Sequence, residues 1–327
     1  MSRFLALLAL FTGIASAQIW PEQWYGSTRS KVGPAPVEDT MLWADYSGDS
    51  AERAVYNGPA GKFSAQAWRL KDATGALAWY QAIRPANCTT MRDTWTVCTT
   101  PGAQVLAHEN YVLWFEGWRP LAKEMAELYT KLPRLRTGGG LPLLPGYLPE
   151  KGRVRNSERY VMGLRSLEQF LPAVPASIAG IEDGAEAQVG TFRMASGEAQ
   201  VAVFSFITPQ LATAKVRELE KVAGLAVKRS GPLVGVVSGF TDRKAAEAIL
   251  APLEWKAVFI WNQSTTLPKM PDVGGMLVAI FELTGFLLVV CVGGGMLFAF
   301  GWVYLRKRRT LLDGTDPAIT VLQLWKR

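Results

Sequence analysis

Residues 65–70 read Ala65-Gln66-Ala67-Trp68-Arg69-Leu70, and residues 199–204 read Ala199-Gln200-Val201-Ala202-Val203-Phe204. The two stretches lie 134 residues apart, and at that offset Thr74, Leu77 and Ala78 fall on Thr208, Leu211 and Ala212. A second parallel, at an offset of 122, joins Tyr111-Val112-Leu113-Trp114-Phe115-Glu116-Gly117-Trp118 to Leu233-Val234-Gly235-Val236-Val237-Ser238-Gly239-Phe240. Short apolar runs rich in β-branched and aromatic residues and bounded by turn residues suit strands. Self-similarity at a fixed spacing points to an internal repeat.

Working outward, each copy reads as a strand pair, a helix, a second strand pair and a second helix. In the second copy Thr208 suits an N-cap, Pro209 the first helical position and Gly224 the C-terminal stop. Ala212, Val216, Leu219 and Ala223 then form an apolar stripe at helical spacing. The first copy supplies Ala76, Trp79, Tyr80 and Ile83, and Pro85 ends the run. Leu121, Met125, Leu128 and Leu132 predict a second helix within Pro120–Leu132, and Thr241–Leu250 takes the equivalent place. The expected fold class is α+β, with two tandem ββαββα-like repeats packed as a pseudo-dimer. Repeats of roughly 100 residues gain core by packing together.

The expected boundaries are residues 18–137 for the first repeat and 161–266 for the second. Residues 138–160 read as a linker, with Gly138-Gly139-Gly140 flexible and Pro142, Pro145 and Pro149 stiff. The drop in offset leaves about twelve extra residues in the first copy, an interval holding Cys88 and Cys98. An antiparallel hairpin of 86–90 with 96–100 would set these two opposite each other. In an oxidising compartment they should form a disulfide contributing about 2.5–3 kcal/mol in the chain-entropy picture. Trp95 falls at the tip of that hairpin and is the candidate partner contact.

The ends read as export and anchoring signals. Arg3, the apolar run Phe4–Ile14 and Ala15-Ser16-Ala17 fit a cleaved signal peptide over residues 1–17. Leu283–Leu305 carries no charge over 23 residues. As a helix that is about 35 Å, enough for a hydrocarbon layer of about 30 Å. Milder apolar sequence reaches back to Val273, so the expected transmembrane helix spans 273–305, with Glu282 at the interface. Arg306-Lys307-Arg308-Arg309 opens a basic tail, 306–327, which the positive-inside tendency assigns to the cytoplasm. The remainder is then extracytoplasmic. Gly295 and Ala299 form a small-xxx-small pair suited to helix packing. The tail accounts for +4 of the net charge of +7, leaving about +3 on the exported part. The basic balance therefore does not argue for nucleic acid.

The stretch Ala199–Phe206, Thr208-Pro209-Gln210-Leu211-Ala212, Gly231-Pro232-Leu233-Val234, the single span with its basic flank and the terminal Asp316–Leu324 together resemble a family of uncharacterised acidobacterial membrane proteins. The resemblance covers most of residues 40–327. It implies a bacterial envelope protein of the inner membrane, with a domain of unknown function, and brings no catalytic residues.

The chain holds one His, three Cys and twelve Trp. It lacks GxSxG, HExxH, CxxC and any GxGxxG at a strand–helix junction. His108-Glu109 is the sole imidazole–carboxylate neighbourhood, and a loop histidine before a strand explains it more simply. Glu182-Asp183-Gly184-Ala185-Glu186 lacks the alternation of a calcium loop and reads as a solvated turn. No catalytic residue, cofactor or metal is expected. Trp68, Trp79 and Trp114 read as core residues. The expected function is a non-enzymatic, single-pass membrane protein presenting its α+β module to an extracytoplasmic protein or glycan. The alternatives are an envelope hydrolase with a carboxylate site between the repeats, or an accessory subunit of a membrane complex.

Overall fold

The computed structural model describes residues 18–256, except 60, 92, 93 and 196, together with residues 273–313. The signal-peptide expectation and the tail beyond residue 313 lie outside the described residues. Two units result, Met1–Lys256 and Ala257–Arg327.

In the first unit, eight strands form one antiparallel sheet: β1 (Gln23–Trp24), β2 (Ser27–Pro34), β3 (Gly48–Gly58), β4 (Gly61–Leu70), β5 (Thr89–Met91), β6 (Thr94–Thr99), β7 (Ala103–His108) and β8 (Tyr111–Glu116). Their order is β1-β2-β3-β4-β8-β7-β6-β5. The helices of this half are α1 (Thr40–Asp45), α2 (Ala73–Ile83) and α3 (Ala122–Lys131). A second antiparallel sheet holds β9 (Arg159–Val161), β10 (Glu186–Met194), β11 (Gly197–Ser205), β12 (Ala226–Ser230) and β13 (Leu233–Ser238), in the order β12-β13-β11-β10-β9. Its helices are α4 (Leu164–Phe170), α5 (Ala176–Ala179), α6 (Pro209–Leu219) and α7 (Arg243–Leu250). The fold is α+β, as the strand and helix patterning implies.

The second half runs β10-β11-α6-β12-β13-α7, and the first runs β3-β4-α2-β7-β8-α3 once the β5–β6 hairpin inserted after α2 is set aside, a ββαββα succession in each. In β3-β4-β8-β7 and in β10-β11-β13-β12 the four strands adopt the same order. The ladders refine the spacing read from the sequence. Gln66 pairs with Trp114, whereas Gln200, 134 residues on, pairs with Ser238, which is 124 residues beyond Trp114. The offsets 134 and 122 therefore do not fit one ladder; they miss by two residues. The N-caps Asp72 and Thr208, and the hairpin ends Gly61 and Gly197, are each 136 apart. That spacing is compatible with 122 across β8 and β13. A two-residue slip keeps every side chain on its own face, so the periodicity alone could not reveal it.

Local chemistry accounts for the helix ends. The Asp72 carboxylate accepts from the Gly75 N–H at 2.9 Å, and the Thr208 hydroxyl accepts from the Leu211 N–H at 3.2 Å. Helix α6 stops at Leu219, short of Gly224, whose φ of +82° serves the turn into β12. On α3, Met125, Leu128 and Leu132 are buried, while Leu121, at the N-cap, is exposed.

Helices cover both faces of each sheet. Ala65, Ala67, Leu113 and Phe115 face the α3 side of the first sheet, and Trp68, Leu70 and Val112 face α2. Ala202, Phe204, Ala212 and Leu219 form the α6 side of the second sheet, and Val201, Val203, Ala246 and Leu250 the α7 side. The cluster on the α2 side continues through Tyr160 and Phe192 into the α7 side. By position in the succession, α2 corresponds to α6, so the shared core joins non-equivalent faces.

Helix α2 is the fastening between the halves and is buried along most of its length. A Cβ on its Gly75 would meet the Tyr46 carbonyl oxygen at 2.4 Å, which fixes glycine there. Gln81 and Gln188 exchange amide hydrogen bonds at 3.3 and 3.1 Å inside the core. Tyr46 donates its hydroxyl to the Tyr160 carbonyl at 2.7 Å, and Arg84 pairs with Glu158. Residues 138–160 do not behave as a free spacer: Leu144 and Leu148 are buried, and Arg153 bridges to Phe192.

The second unit contains α8 (Val273–Asp313). Within it Ile280–Arg308 is long and apolar enough to cross a membrane, with a mean hydropathy of 2.2. The helix continues without interruption through Glu282 and into the basic cluster.

Candidate functional site: a tryptophan-lined cleft

Strands β4 and β8 are neighbours, and their pairing sets Gln66 beside Trp114 on the face that α2 crosses. Trp68, two residues along β4, shares that face. Helix α2 adds Trp79, Ala82 and Ile83 from above, and the loop before α1 adds Pro36 and Glu38. Gln169 of α4 reaches the rim from the second sheet's half. The cleft has a volume of about 390 Å³ and is open to solvent on one side.

The polar groups lining it are incompletely used. Trp68 donates its indole N–H to the Pro36 carbonyl at 3.1 Å. Trp79 Nε1 and Trp114 Nε1 have no acceptor, and Gln66 Oε1 receives no hydrogen bond. Among the described residues four buried side-chain polar atoms lack a partner, and three of them belong to residues that line this cavity. Each orphaned group costs about 1–3 kcal/mol. Polar groups left unpaired beside a cavity are candidates for contact with a bound molecule or an ordered water.

The rim carries Glu38, Asp39 and Glu116. Asp39 accepts from the Leu42 N–H at 2.8 Å and from Arg165 at 2.9 and 3.0 Å. These contacts, the Leu42 bond foremost, hold its carboxyl below the usual carboxylate range. A carboxylate so held is an acceptor and a poor proton donor. Glu116 accepts from the Ser64 hydroxyl at 3.0 Å and lies 3.9 Å from Arg53. A group that both accepts from indole N–H and donates to an amide oxygen, such as a hydroxyl or a carboxamide, suits the interior. An ammonium cannot accept, and the rim carboxylates repel an anion.

The other residues singled out in the sequence are dispersed. Cys88 and Cys98 form a disulfide with Cα atoms 5.5 Å apart. They are not directly opposite: Cys98 pairs with Thr90 across the β5–β6 ladder, and Cys88 lies just before β5. Two residues share a strand face, so the diagonal remains within bonding reach. Asn156 Nδ2 donates to the Cys88 carbonyl at 2.8 Å, tying this hairpin to residues 138–160. The backbone of Trp95 belongs to β6, and its side chain lies outside what is described. Gly295 and Ala299 are exposed on α8, and Gly295 has nothing within 4 Å of an added Cβ. Arg306, Lys307 and Arg308 are exposed near the end of α8, and the side chain of Arg309 is outside the described set. His108 stacks flat on Tyr129 at 3.5 Å between ring centroids. Its burial lowers the imidazole pKa, and Glu109 opposes that in part. In the acidic turn, Asp183 pairs with Lys215 and Glu186 accepts from the Tyr160 hydroxyl. No grouping of three or more metal-ligating side chains occurs among the described residues.

No family model matches this sequence, and no curated protein matches it. Among solved structures the chain is similar to "Structure of crystal form III of TP0453", at 8% identity over 67% of this chain and 92% of that one. The TM-score is 0.21, and a likeness at that level carries no argument.

The sequence placed Trp68, Trp79 and Trp114 in the core. Trp68 and Trp79 are indeed buried, and Trp114 is partly so. What the sequence reading missed was the cavity between them. One signal was present: Gln66 stands between Ala65 and Ala67 and shares a face with Trp68.

Proposed function

We propose that the protein is a non-enzymatic, single-pass membrane protein that displays an α+β binding module outside the cytoplasm and holds its ligand in the tryptophan-lined cleft. The observation that carries this reading is the convergence of three partnerless buried polar atoms, on Gln66, Trp79 and Trp114, at one cavity. The ligand's inserted portion is neutral and bears a hydroxyl or carboxamide, as a glycan or a polar side chain does. The disulfide suits an oxidising compartment, and the apolar helix suits a single anchor with its basic end in the cytoplasm. We read the two ββαββα successions as tandem repeats; the 136-residue spacing of the N-caps and hairpin ends supports duplication. A bacterial inner-membrane location follows from the same reading.

The test is recovery of the full chain from native membranes in mild detergent, beside the Trp114→Ala variant, with bound species identified by native mass spectrometry. Wild-type protein should carry a co-purifying glycan or protein that the variant loses. Equal recovery from both, or bare protein from both, would overturn the cleft assignment. Protease added to spheroplasts should digest the α+β module and spare the basic tail; the reverse pattern would overturn the topology.

A further inference from the structure

A second cavity, of about 380 Å³, opens away from the tryptophan cleft at the ends of β4 and β8. Four cationic side chains line it: Arg69, Lys71, Arg134 and Arg136. The one carboxylate in its wall, Asp49, is taken by Arg69, whose Nε donates to it at 2.6 Å. Among the described residues, none of Lys71, Arg134 and Arg136 has a carboxylate within 4.0 Å. Like charges gathered at a concavity raise its positive potential and draw an anion to it.

The backbone around this cavity adds an independent observation. Five non-glycine residues among those described have positive φ, and two of them, Ser47 at +55° and Arg134 at +56°, line this cavity. A third, Glu109 at +49°, immediately precedes the wall residue Asn110. Left-handed backbone at residues other than glycine is costly and gathers where a site requires it. Here it is held in place by the buried Asn110. Its Nδ2 donates to the Leu70 carbonyl at 3.1 Å and to the Arg134 carbonyl at 3.3 Å, and its Oδ1 accepts from the Arg136 N–H at 2.9 Å. One amide thus fixes the backbone of both arginines against the end of β4. Lys71, Arg134 and Arg136 are exposed, and Asn110 pins the backbone of the loop that carries the two arginines.

We propose that this cavity binds an oxyanion of the phosphate class, either a free phosphate or the phosphodiester of a lipid headgroup, with Lys71, Arg134 and Arg136 as its ligands. The site is separate from the tryptophan cleft and does not depend on the function assigned there.

The experiment uses the full chain in uncharged detergent at constant ionic strength. Pyrophosphate is titrated and binding is followed by phosphorus NMR line broadening and by the thermal midpoint. A second arm titrates short-chain phosphatidylglycerol against short-chain phosphatidylcholine. Saturable pyrophosphate binding is expected. It should weaken roughly two- to fivefold for each of Lys71→Gln, Arg134→Gln and Arg136→Gln, in line with exposed charge pairs. Arg134→Lys should retain most of it, and Lys62→Gln, on the far end of β4, should leave it unchanged. A preference for phosphatidylglycerol over both phosphatidylcholine and pyrophosphate assigns the lipid headgroup; tighter pyrophosphate binding assigns the free anion. The proposal is overturned if binding is unsaturable, or if the triple glutamine variant, folded by its melting curve, binds as the wild type does.

Discussion

The two faces of the first sheet each carry a tryptophan cluster, and the two clusters are built on opposite principles. On the α3 side, Trp20, Trp24, Tyr56, Phe63 and Phe115 meet edge-on or tilted at 5.6–6.4 Å, and Tyr56 and Phe63 stack at 5.3 Å. Every indole N–H there that lies fully buried has an acceptor: Trp20 donates to the Glu52 carbonyl at 3.0 Å and Trp24 to the Glu124 carbonyl at 2.9 Å. On the α2 side, the indole nitrogens of Trp79 and Trp114 and the amide oxygen of Gln66 have no partner, and all three residues line a cavity. The same residue type therefore has its indole N–H satisfied on one side of the sheet and left without an acceptor on the other. Burial does not distinguish them, since Trp79 is 3% exposed and Trp24 is 1% exposed. Hydrogen-bond accounting does.

Substitution should separate the faces most widely at Trp24. Trp24→Ala removes a ring from a closed cluster and should destabilise the fold by about 3–5 kcal/mol, measured by denaturant unfolding. Next in size is the disulfide. Cys88→Ser with Cys98→Ser should lower stability by about 2.5–3 kcal/mol in the chain-entropy picture, with a matching drop in thermal midpoint. The sharpest comparison comes from paired Trp→Phe changes. Trp24→Phe deletes the hydrogen bond to the Glu124 carbonyl, which keeps its helical partner, and should cost about 0.5–1.5 kcal/mol beyond the change in ring size. Trp79→Phe deletes a donor that has nothing to donate to, so its stability should hold within about 1 kcal/mol of wild type or rise. Equal losses at both positions would erase the distinction between the faces.

The smallest effect should come from pH. His108, stacked on Tyr129, has its pKa lowered by burial. The folded state thus binds this proton less readily than the unfolded chain. The stability it contributes is present above the ordinary histidine value of about 6.5 and is lost as pH falls through the lowered folded value. His108→Phe keeps the stacked ring and removes the titration. The variant should lose less thermal stability than wild type between pH 7.5 and pH 5.

Much of the fold was legible in the sequence because strand and helix periods are short-range. The stripe Ala212–Val216–Leu219, the capping pair Thr208-Pro209 and the strand runs all reported their elements. The two-residue slip was invisible, since it moves no side chain across a sheet. The burial of 138–160 was also hidden: Gly138-Gly139-Gly140 and the prolines suggest a spacer, while Leu144 and Leu148 acquire their partners only in three dimensions. The cleft needed Gln66, Trp79 and Trp114 to meet from two strands and a helix, a coincidence that no single-segment pattern encodes. The basic cavity was hidden for the same reason, with Lys71 and Arg136 separated by two helices and four strands.

The Gln81–Gln188 amide pair has a consequence for how the chain comes into being. Made from its N-terminus, the first sheet and α2 emerge well before β9 and β10 exist to cover the outer flank of that helix. At about 5–20 residues per second, the roughly hundred residues from α2 to β10 take on the order of ten seconds. Through that interval the Gln81 amide and its apolar neighbours lack the cover that β9 and β10 later provide.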